Sequence, residues 1–160
     1  MNRLSKALVL LLITLISLSL FPGLAAAKVK LLKGQTLYLP CSTSYMSGNF
    51  SFNIKATIYL RNTDPERAIK IVRMDFYNTS GKLVKKYLSQ PLKLNPSAGA
   101  CFHVKNPLAG KEGAVAHFVI QWQAQTRVHA PLVSGLMLGS AGTRGYTFST
   151  HPKVLQETAD

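Results

Sequence analysis

Apolar residues recur at every second position over long stretches of this chain, and a period of two commits it to β-strands with one buried and one wet face. Phe52, Ile54, Ala56, Ile58 and Leu60 form one face of a predicted strand; Ser51, Asn53, Lys55, Thr57, Tyr59 and Arg61 form the other. Ala116, Phe118, Ile120, Trp122 and Ala124 alternate with His117, Val119, Gln121, Gln123 and Gln125 in the same way, predicting a long central strand. Ala100, Phe102 and Val104 alternate with Cys101, His103 and Lys105. Between Ile69 and Tyr77 the phase slips, Ile69 and Ile71 giving way to Val72, Met74 and Phe76, which predicts a β-bulge near Ile71.

Turn formers separate these runs at Asn62–Arg67, Asn78–Gly81 and Gly139–Gly145. Leu83 to Leu94 reads as a strand interrupted at Pro91, which an edge position tolerates. With Thr36–Pro40, Leu132–Leu138 and Tyr146–Phe148 the count reaches about seven or eight strands. The expected fold is all-β: an immunoglobulin-like two-sheet β-sandwich, with a small β-barrel as the alternative. The tail after His151 lacks the pattern and is expected to fray.

The first 27 residues read as an export signal. Arg3 and Lys6 precede an apolar run from Ala7 to Leu20, Phe21-Pro22-Gly23 breaks it, and Ala25-Ala26-Ala27 offers small residues for cleavage after Ala27. The run is shorter than the roughly 18 to 20 residues that a membrane span needs, so no transmembrane span is expected after cleavage. Residues 28–160 would then form one periplasmic or secreted domain. Lysine and arginine number 19 against 6 aspartates and glutamates, a formal charge of +13. Two of the basic residues and none of the acidic ones lie in the signal, which leaves +11. In the cytoplasm such an excess would indicate nucleic acid. Export removes that partner and leaves an envelope protein or an anionic envelope polymer or lipid surface.

Several segments, in order, carry a family resemblance: Leu37-Tyr38-Leu39-Pro40, Phe52 to Ile58, Arg61-Asn62-Thr63-Asp64-Pro65, Asp75-Phe76-Tyr77 with Gly81-Lys82-Leu83-Val84, Phe118 to Trp122, and Thr143-Arg144-Gly145 before Phe148. They resemble a bacterial exported family of unknown function, number thirty-one twenty-four in the domain-of-unknown-function series. The Arg-Asn-Thr-Asp-Pro stretch is the most specific of them. The resemblance implies a periplasmic or surface β-sandwich and assigns no activity. Cys41 and Cys101 depart from the family's pattern, so any role for them is particular to this chain.

An even pair of cysteines in an oxidising compartment is expected to form a disulfide, here Cys41 to Cys101. Strand parity turns Cys101 outward, whereas Cys41 is in phase with Leu37 and Leu39 unless Pro40 resets it. The alternative is a copper or zinc site built from Cys101, His103 and His117. No carboxylate pair or nucleophile motif stands out, so neither enzymatic activity nor a cofactor is expected, and a hydrolase is the least favoured reading. The expected role is a non-catalytic binding or structural module of the cell envelope, presenting its loops to a partner. Binding candidates are Tyr45, Met46 and Phe50 in the Ser42–Phe50 loop, Asn62 and Asp64 in the next turn, and Arg144 in the glycine-rich turn. For the first three, the competing reading is that they fold back over the end of the sandwich; for Asp64 it is turn capping.

Overall fold

A computed structural model describes residues 29–47, 50–104, 115–141 and 144–159, so the expected export signal lies outside the described residues. Eleven strands are described: β1 (Leu31–Cys41), β2 (Ser44–Ser47), β3 (Phe50–Arg61), β4 (Ile69–Tyr77), β5 (Leu83–Lys86), β6 (Leu92–Leu94), β7 (Gly99–Val104), β8 (Ala116–His129), β9 (Leu132–Ala141), β10 (Arg144–Thr150) and β11 (Lys153–Thr158). They form two curled antiparallel sheets. One has the order β11-β1-β8-β4-β5, with β6 also pairing β4; the other has the order β10-β9-β3-β2, with β7 also pairing β3. This is the expected all-β sandwich.

The count exceeds seven or eight because two long strands each have an edge partner in two short pieces. β4 takes β6 at Ile69–Ile71 and β5 at Asp75–Tyr77. β3 takes β2 at 50–53 and β7 at 56–61. The expected loop at 42–50 and the expected glycine-rich turn are therefore largely hairpin arms. The tail does not fray either: β11 pairs with β1 from Gly34 to Tyr38. Its residues are all exposed, so it had no buried face to reveal it in the sequence.

The inward faces follow the alternation. Ile54, Ala56, Ile58 and Leu60 of β3 meet Phe118, Ile120 and Trp122 of β8, together with Leu37 and Leu39 of β1 and Met74 and Phe76 of β4. Trp122 is fully buried, and its indole N–H donates to Gln35 Oε1 at 3.1 Å. Gln35 in turn donates to Glu157 on β11 at 3.1 Å, tying the last strand to the core. A buried indole needs such an acceptor, because an unpaired N–H in the core is costly. Gly34 permits the close pairing of β1 and β8 here: a Cβ would stand 2.8 Å from the Trp122 carbonyl oxygen.

The predicted bulge lies between Ile71 and Arg73. It has a consequence for the surface. Lys70 pairs with Gln123 and Arg73 with Gln121, so two cations three residues apart share the outer face.

Candidate basic cleft

Three connections at which the chain changes sheet, β3 to β4, β6 to β7 and β8 to β9, meet at one end of the sandwich. Asn62 and Asp64 bind them together. Asn62 Nδ2 donates to the carbonyls of Arg67 at 2.7 Å, Asn95 at 3.0 Å and Leu94 at 3.3 Å, and its Oδ1 accepts from Asp64 N at 3.1 Å. Asp64 Oδ1 accepts from the amides of Glu66 at 3.0 Å and Arg67 at 2.8 Å, while Oδ2 accepts from His129 N at 3.2 Å. Thr63 donates to the Ala130 carbonyl at 2.8 Å. Burial pushes the Asp64 carboxyl up, but the three backbone amides and the Arg67 cation outweigh it and hold it below the usual carboxylate value. Asn62 and Asp64 are 0% and 2% exposed, which corrects their expected role as contact residues: their polar atoms serve the fold, and for Asp64 the competing reading of turn capping describes its bonds to Glu66 and Arg67.

Beside this corner the chemistry reverses. Arg67, Lys70 and Lys93, with Gln123, Gln125 and Thr126, line an open cleft of about 600 Å³ on the outer face of the β1/β8/β4 sheet. Lys70 and Lys93 stand directly opposite one another on β4 and β6. Like charges in that register repel, and among the described residues no carboxylate lines the cleft to relieve them. Of the other described carboxylates, Asp75 pairs with Arg73 at 2.7 Å, and Glu157 pairs with Lys30 on the surface. Glu66 lies exposed on the turn. The cleft thus gathers cations, amide groups and a hydroxyl, the donor set that holds a phosphate or carboxylate beside sugar hydroxyls. Sequence reasoning missed these residues, which come from three strands with no shared motif. The available signal was the bulge, which brings Lys70 onto the face of Arg73.

The other expected sites are dispersed. Cys41 is buried on the inner face of β1, whereas Cys101 is exposed on the opposite sheet, and both are free thiols. The expected disulfide is therefore corrected: Pro40 does not reset the phase of β1, and the two thiols point into different surroundings. Burial pushes the Cys41 thiol up to about 12. The metal alternative is corrected as well. His117 belongs to β8 in the other sheet, stacked between Tyr38 and Tyr77 at ring distances of 4.6 and 5.1 Å, far in topology from the Cys101–His103 face. Burial lowers the basicity of His117. No group of three or more metal-ligating side chains occurs among the described residues.

Tyr45 is 54% exposed and borders a groove of about 510 Å³ with Ile54, Tyr146 and Phe148, so of the two readings of this segment its ring is presented rather than folded away. The backbone of Met46, Phe50 and Arg144 lies in β2, β3 and β10, and their side chains are outside the described residues. No helix among the described residues is long and apolar enough to cross a membrane.

Comparison with known proteins settles the family. A model described as "Protein of unknown function (DUF3124)" matches residues 34–155. The chain belongs to this family. Within the matched span, Asn62 to Asp64 form the DUF3124 chain's structural corner. No curated protein matches. A solved structure, "Crystal Structure of Thermotoga maritima 1070", is similar at 12% identity over 78% of this chain and 97% of that one, with a TM-score of 0.48. At that distance the likeness bears on neither activity nor partner.

Proposed function

We propose that this DUF3124 protein is an exported, non-catalytic binding module of the cell envelope, whose basic cleft takes the phosphate groups of an anionic envelope polymer. The observation that carries the reading is the pair Lys70 and Lys93, joined by Arg67 in a cleft that no carboxylate lines among the described residues. An anion placed between the two ammonium groups would convert a repulsive register into an attractive one. Gln123, Gln125 and Thr126 suit the hydroxyls of a sugar or glycerol unit beside the phosphate. The excess of basic over acidic residues would hold the domain near such a polymer and speed encounter. Export is read from residues 1–27, and a mature N-terminus at Lys28, found by sequencing protein recovered outside the cytoplasm, tests it.

Titration with glycerol-phosphate oligomers, and separately with phosphatidylglycerol vesicles, tests the cleft and distinguishes polymer from lipid as the phosphate source. Affinity for the oligomers should fall as salt rises and fall about tenfold in Lys70→Gln/Lys93→Gln. Equal affinity of the double variant and the parent protein would refute the assignment. So would binding to vesicles alone.

A further inference from the structure

The outer face of the other sheet carries a second, independent chemistry. Cys101 and His103 are two residues apart on β7 and both are exposed. Thr57 lies directly across from His103 on β3, and its Oγ1 is 3.1 Å from His103 Nδ1. The opposite ring nitrogen, Nε2, then faces Cys101 Sγ at 4.0 Å. With Nδ1–H donated to the threonine, Nε2 is the free acceptor for the thiol proton. The thiol also borders a groove of about 440 Å³ whose walls include Tyr59, Arg61, Leu132 and Ser134. Tyr59 is 42% exposed and Leu132 57%, so the groove offers apolar contact beside a guanidinium. Strands β2, β3, β7, β9 and β10 contain no aspartate or glutamate, so Arg61 is the charged side chain lining the groove among the described residues.

We propose that Cys101 is a thiol–disulfide exchange site selective for small disulfides that carry carboxylates. Cys101 Sγ attacks one sulfur of the disulfide and a new S–S bond forms as the old one breaks. The thiol proton passes to His103 Nε2 and from there to the departing thiolate, so a mixed disulfide and one free thiol result. Arg61, whose Nη1 donates to the Ser97 carbonyl at 3.2 Å, turns its remaining N–H groups to the carboxylate of the bound half, and Tyr59 and Leu132 cover its carbon chain. Cys41 takes no part, being enclosed in the core.

The test uses the folded full chain and two reagents: an anionic aromatic disulfide, dithiobis(nitrobenzoate), and the cationic disulfide cystamine. One adduct per chain should form, located on Cys101 by peptide mapping, with the anionic reagent reacting faster after correction for each reagent's rate with free cysteine. An isolated thiol is only about 3% thiolate at pH 7, so a proton-accepting neighbour can speed attack by up to roughly thirtyfold. His103→Asn should therefore slow the reaction about tenfold with both reagents. Arg61→Gln should remove the preference for the anionic reagent while sparing the rate with cystamine, a split that a general loss of structure would not produce. Cys101→Ser should abolish the adduct. Equal rates for the parent protein and a folded His103→Asn, or no charge preference in the parent, would overturn the proposal.

Discussion

The Asn62–Asp64 corner and the Arg67–Lys70–Lys93 cleft are neighbours in sequence and in space, yet they use polar residues in opposite ways. In the corner every side-chain donor and acceptor is turned inward onto backbone groups of three connections. In the cleft three cations face solvent around an open volume, two of them in a register that costs stability. A run of polar turn residues can thus be wholly structural, whereas residues without any motif can form the open site. Burial distinguishes the two more reliably than residue type.

The comparison breaks most visibly at Asp64. Asp64→Ala would leave three part-buried amides without their acceptor, and urea unfolding should show a loss of about 3 kcal/mol with glycerol-phosphate binding by the remaining folded protein unchanged. The same carboxylate sets an acid limit. Its folded value lies below its unfolded one, so its stabilisation is complete above about pH 4 and is lost as pH falls through the lowered value. His117 is also lowered, by burial, so its contribution is complete above the unfolded value near 6.5 and declines as pH falls below it. Unfolding free energies measured down the pH scale should therefore decline in two stages, and Asp64→Asn should shrink the lower one, to which Glu157, held low by hydrogen bonds from Lys30 and Gln35, also contributes.

Smaller effects sharpen the other side. Gly81 has φ 76° in the Asn78 turn, and Gly81→Ala should cost about 1 kcal/mol by thermal unfolding without touching the cleft. Lys70→Gln removes a like-charge contact and should stabilise by roughly 0.5 kcal/mol while weakening anion binding. The Tyr87 hydroxyl is buried with no hydrogen-bond partner among the described residues, so Tyr87→Phe should be neutral to within about 0.5 kcal/mol.

The alternation of Ile54 to Leu60 and of Phe118 to Trp122 made the core strands legible, because each has one buried face and its neighbours reinforce the period. The phase slip at Ile71 made the bulge legible, and Pro91 marked the edge where β5 and β6 end and begin. β11 was illegible because neither of its faces is buried, and its pairing depends on β1 alone. The separation of Cys41 from Cys101 was half legible, parity giving the outward Cys101 but not the effect of Pro40. The local half of the corner was legible, since Asp64 caps its own turn as one of the two sequence readings had it, but its long-range contacts and the cleft were not, because Lys70, Lys93 and Gln123 come from distant segments that only the sheet order brings together.

The most direct test is a paired measurement of unfolding free energy and glycerol-phosphate affinity on Asp64→Ala and on Lys70→Gln/Lys93→Gln. The account predicts that the first variant loses stability and keeps its affinity, while the second keeps its stability and loses affinity about tenfold. A lysine double variant that binds as tightly as the parent protein would contradict it.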